Sequence, residues 1–206
     1  MKKIQVEARN FPNLSPGNML PRATLAELEV LYRGHVRTTN QIFGRLVTAD
    51  PLDAHPVYGE WRALKVALTA ELAAVRGYEI FLSHIGPTGG RPTDTLAEQI
   101  RRDFGTFEGF VVDLRATALS SRGWVALCHD PDLNRLLTLV GDAPEAISAW
   151  NLHPLLVMDT SERAAAVDFG RDRRRYFDAL LDATDWKVVA RNLEDAMSRT
   201  GREALR

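Results

Sequence analysis

The chain has a single cysteine, Cys128, so no intramolecular disulfide can form and a reducing, cytoplasmic setting is the expectation. No apolar run approaches the ~18 residues of a membrane span. Behind the two lysines of the MKKIQVEARN start there is no apolar stretch of the kind a secretory signal carries. Neither charge dominates. With 26 basic and 27 acidic side chains in 206 residues the formal net charge is −1, which argues against nucleic acid or a membrane surface as partner. His35, His55, His84, His129 and His153 form no H-x-H or H-x-x-x-H and flank no C-x-x-C, so local zinc-type spacing is missing. There is no G-x-S-x-G elbow and no dinucleotide fingerprint after a strand. The glycine-rich GPTGGRPTD (86–94) lacks the lysine-serine/threonine ending of a phosphate loop.

What is present is a chain that folds: 45% of its residues are apolar and 26% charged, outside the range of intrinsic disorder. From Thr24 the residues Leu25, Leu28, Tyr32, His35, Thr39, Ile42, Phe43 and Leu46 recur at three- and four-residue steps, one face of a long helix, with Thr24 and Glu27 placed as a capping box. Pro51 ends it. Trp61, Leu64, Leu68, Leu72 and Val75 stripe a second long helix, and the short polar connection predicts an antiparallel hairpin. The 86–94 stretch is the strongest internal break; an N-terminal arm and hairpin over 1–88 and a C-terminal α/β domain over 89–206 are expected. Thr95 with Glu98 reads as a further capping box, and Gly105 as a helix stop. GWVALCHD and NRLLTLVGD around Asp130-Pro131-Asp132 predict a β-hairpin, HPLLVMD a third strand, and two helical patterns follow. The class is α+β, with a three-stranded antiparallel sheet. Cys128 reads as a small buried hydrophobe, and RDRRR (171–175), ringed by aspartates, as a solvated face.

The segment PLLVMDTSERAAAVDFGRDRRRYFDALLDATDWKVV (154–189) resembles the C-terminal signature of iron/manganese superoxide dismutases, through Pro154, Leu155, Leu156, Asp159, Glu162, Ala164, Asp168, Phe169, Arg171, Arg174, Tyr176, Trp186 and Val189. FLSHIGPTGGRPTDTLAEQIRRDFGTFEGF is similar to the family's segment around its glycine-rich turn, and Ser121-Arg122-Gly123-Trp124 stands where the family has G-S-G-W. LAELEVLYRGHVRTTN stands where the family's first long helix carries its histidines. The resemblance covers most of the chain from about Leu20 and implies the same α+β fold.

It also implies a metal held by three histidines and one aspartate. The histidine positions fall on Leu31, Tyr78 and Arg163, and the aspartate on Asp159. The family's gateway tyrosine falls on Thr39, and its tryptophans around the metal fall on Leu82, Ala126 and Ser161; His35 and Glu162 persist. Leucine has no lone pair and arginine keeps its proton, so neither ligates. The expectation is therefore no cofactor, with Arg163 paired to Asp159 and the Tyr78 hydroxyl on the same carboxylate. The function expected is non-catalytic, a binding or scaffolding homologue with an unidentified protein partner; the alternative is a dismutase using iron or manganese at an atypical site that draws on His35 or His84. A homodimer is expected, with Glu162 of one copy facing Arg163 of the other.

Overall fold

The computed structural model describes residues 4–14, 18–87, 89–147 and 150–203. Helices α1 (Arg22–Thr48) and α2 (Glu60–Ser83) form the expected hairpin. Their cross-contacts run in opposite senses: Arg45 meets Glu60, His35 meets Glu71, and Tyr32 meets Glu79. The capping box expected at Thr24 does not form. Helix α1 begins earlier, after Pro21, and makes no side-chain cap there. Thr24 is instead buried, giving its N–H (3.0 Å) and hydroxyl (2.6 Å) to the Asp168 carboxylate, which supplies negative charge to a helix N-terminus from 144 residues away. The Thr95 box fails for a similar reason. Helix α3 (Asp94–Phe104) starts two residues earlier than that box requires, with Thr93 at its N-cap position and no side-chain cap.

Helix α4 (Phe107–Ser120) follows, then strands β1 (Trp124–Asp130), β2 (Arg135–Gly141) and β3 (His153–Asp159). The three strands form one antiparallel sheet in the order β2-β1-β3. Central β1 is buried from Trp124 to His129, which is why its sequence is a continuous apolar run rather than an alternating one. Pro154 sits on the edge strand β3 beside a register shift at Leu127/Cys128, where a missing N–H does least harm. Helix α2 and helix α7 (Trp186–Glu203) both pack on β3, while α3 and α4 pack on β2. Between β3 and α7 lie the one-turn helix α5 (Glu162–Ala165) and α6 (Arg173–Asp182). The glycine-rich stretch is a close crossing: a Cβ on Gly89 would come 2.0 Å from the Asp182 carbonyl oxygen.

A buried carboxylate ties α3 to the sheet. The Asp103 side chain is 3% exposed and accepts from the Arg102 guanidinium (2.7 Å), Arg135 Nη1 (2.8 Å) and the Leu136 N–H (2.8 Å). Burial alone raises its pKa, but these donors outweigh it and bring the carboxyl from 3.8 down to about 2. A depressed folded pKa stabilises above the unfolded value and is lost as pH falls through the folded one. Asp103→Asn is thus expected to cost about 1–2 kcal/mol at pH 7 and much less near pH 2, read from urea midpoints at the two pH values.

Candidate functional site

Asp159 is the last residue of β3, and Tyr78 lies on the face of α2 that packs on this strand. Both are buried, and the Tyr78 hydroxyl donates to Asp159 Oδ2 at 2.5 Å. The other carboxylate oxygen accepts the Ser161 N–H at 2.9 Å. The Tyr78 ring stands edge-on to Trp124 at 5.0 Å and is stacked by His35 at 5.6 Å. Burial first, and the Asp159 charge next, push the Tyr78 phenol far above its ordinary range, so it keeps its proton. His35 is itself bonded through Nδ1 to Glu71 Oε2 at 2.8 Å.

The structure thus brings Tyr78, Asp159 and His35 into contact; the Arg163 charge acts on the Tyr78 phenol, as the least of its influences and a lowering one, but Arg163 is not paired with Asp159. Arg163 sits exposed on α5, and among the described residues it forms no ion pair within 4.0 Å. The expected pair with Asp159 rested on their four-residue separation. That separation brings side chains together only within a helix, whereas Asp159 ends a strand and α5 begins three residues later. Arg163→Ala is accordingly expected to change unfolding of the single chain by no more than about 0.5 kcal/mol, measured in denaturant. Glu162 is exposed beside it, and Leu31 is half-buried on α1. Leu82 and Ala126 are fully buried in the core, and Ser161 caps α5 by accepting from the Ala164 N–H. The Thr39 hydroxyl is buried with no partner among the described residues.

Several contributors are not legible in the sequence. Glu71 meets His35 only because the hairpin folds, and nothing in its spacing marks it. Tyr176 is fully buried with a hydroxyl lacking a partner among the described residues; burial, then the Asp159 charge, raise its pKa well above the ordinary value. Arg173, inside the run read as a solvated face, donates to the carbonyls of Thr160 (3.0 Å), Leu119 (3.4 Å), Ala118 (2.9 Å) and Ser121 (2.6 Å), pinning the segments that lead into β1 at Trp124 and out of β3 at Asp159. His84, the other histidine considered as a ligand, is fully buried and donates from Nε2 to the Val157 carbonyl at 2.9 Å. Burial lowers its pKa to about 4, so it is neutral at pH 7.

Residues 92–192 match the family model for the C-terminal domain of iron/manganese superoxide dismutases. Over 199 residues, 95% of this chain and 91% of the relative, the sequence is 34% identical to the protein named superoxide dismutase [Fe] of Aquifex aeolicus. The same figures hold for superoxide dismutase [Fe] of Aquifex pyrophilus. Superoxide dismutase [Mn] 2 of Halobacterium salinarum is 32% identical over 122 residues, 59% of this chain and 61% of that protein. These names correct the expectation of no cofactor: iron or manganese is the cofactor that kinship implies.

Whether these side chains fit such an ion is a matter of donors. Leu31 offers none, and Arg163 offers only a cation. The Tyr78 hydroxyl and Asp159 are already joined to each other. No group of three or more histidine, cysteine, aspartate or glutamate side chains able to hold a metal occurs among the described residues. Leu31, Tyr78, Asp159 and Arg163, the residues that the resemblance puts at the metal, do not make up a set of three histidines and one aspartate.

Proposed function

The chain belongs to the iron/manganese superoxide dismutase family, and from that premise we propose that it is a non-catalytic member, working by binding or scaffolding with the family's catalytic position dismantled. The observation that carries this reading is the Tyr78 hydroxyl on Asp159 at 2.5 Å. A protonated phenol gives the buried carboxylate the hydrogen bond it needs, so the cluster is stable as it stands, while Leu31 and Arg163 supply no ligand where the family has histidines. The same reading pairs two copies of the chain through the face that exposes Glu162 and Arg163. It places the protein in the cytoplasm, in keeping with the unpaired, buried Cys128.

The test is dismutation by the full chain after refolding with iron(II) and, separately, with manganese(II), free ion removed and metal content read on the same sample. The expected rate equals that of the buffer treated the same way. A rate that rises in proportion to bound metal overturns the proposal and makes the protein a dismutase with an atypical site.

A further inference from the structure

We propose that the cavity lined by α2, the sheet and the residues Pro144, Ile147, Leu152 and Pro154 binds a compact molecule with an apolar body and one carboxylate, the size of a medium-chain fatty acid. The cavity measures about 290 Å³, and its walls include Ala73, Gly77, Trp124, Ile147 and Val157. At liquid-like packing of roughly 0.55 that volume takes about ten non-hydrogen atoms. Gly77 brings α2 down onto the tryptophan: a Cβ there would already lie 3.3 Å from the Trp124 ring. Apolar walls and one polar anchor are the usual make-up of a small-molecule site.

The anchor is Arg76, the one charged residue lining the cavity among the described residues. Its side chain is 56% exposed, which puts it at the mouth. One nitrogen, Nη1, donates to Glu79 Oε2 at 2.6 Å. Glu79 is buried and also faces Arg9 Nε at 3.5 Å, so two guanidiniums meet one carboxylate and a positive charge is left over there. That surplus selects an anionic head, and the guanidinium's planar fork suits a carboxylate. The site is separate from the Tyr78–Asp159 cluster: Trp124 borders both, but neither Tyr78 nor Asp159 lines the cavity. Cys128 forms part of the wall, but burial holds its thiol at about 12, so the ligand is held without a covalent bond.

Calorimetric titration of the full chain with octanoate, octan-1-ol and octylammonium tests this. Octanoate is expected to saturate at one per chain, octan-1-ol to bind about fivefold more weakly, the worth of one half-exposed ion pair, and octylammonium not to bind. Arg76→Gln is expected to bring octanoate down to the level of the alcohol and leave the alcohol unchanged. Glu79 retains Arg9 and the Tyr32 hydroxyl in that variant, so the fold is kept. Ala73→Trp, which fills the cavity, is expected to abolish binding of both, with Ile147→Trp read in its place if that variant does not fold. Equal binding of all three probes, octanoate binding untouched by the filling variants, or no saturable octanoate binding overturns the proposal.

Discussion

Tyr78→Phe is expected to lower the unfolding temperature of the full chain by about 5–10 °C, the consequence of losing roughly 2–3 kcal/mol. The ring contacts with Trp124, Phe81 and His35 survive the change, since only the hydroxyl goes. What is lost is the 2.5 Å hydrogen bond to Asp159, which leaves a 2%-exposed carboxylate with the Ser161 N–H as its remaining donor among the described residues. Removing one partner from a buried charged acceptor costs its desolvation, not merely the net worth of a hydrogen bond. Tyr176→Phe is the contrast. That hydroxyl is buried without a partner among the described residues, so deleting it is expected to change stability by less than about 0.5 kcal/mol or to raise it. Equal losses in the two variants, read by calorimetry or in denaturant, would show that the Asp159 bond is not what Tyr78 contributes.

Arg173→Ala is expected to cost about 3 kcal/mol, and Arg173→Lys to restore less than half of it. The guanidinium reaches four carbonyls at once, from the end of α4 (Ala118 and Leu119), from Ser121 just before β1, and from Thr160 just after β3. Thr160 is also bound to Gly123, through its N–H at 2.6 Å and its hydroxyl at 3.0 Å, and to the Ser121 hydroxyl at 2.9 Å. Arg173 therefore closes a network that sets where β1 enters and β3 leaves the sheet. An ammonium is a point donor and cannot span this fan of acceptors. Unfolding in urea checks both variants. A loss no larger than that of a surface arginine, within about 0.5 kcal/mol, would show that the network holds without it.

The hairpin was readable because α1 and α2 each bury one stripe, so Leu25, Leu28, Tyr32 and Leu46 recur at helical spacing. Strand β1 was readable for the opposite reason, burial on both faces leaving no polar alternation. Interactions between distant segments were not. Thr24 has the look of a cap, yet its carboxylate partner is Asp168, brought there by tertiary folding. Arg173 is one arginine among four in RDRRR, and only the fold separates it from its exposed neighbours. At the site, Asp159 and Tyr78 were placed together by resemblance and are in contact. Arg163 was joined to them by a helical spacing argument that a strand end does not obey.

The proton between Tyr78 and Asp159 is the most direct thing to observe. A proton NMR spectrum of the full chain in water is expected to show one slowly exchanging, strongly downfield resonance that Tyr78→Phe removes, unchanged when ferric iron is added in equal amount. The contrary result is a tyrosinate-to-ferric absorption band that the same variant abolishes, which would mean that Tyr78 gives up its proton to a metal standing beside Asp159.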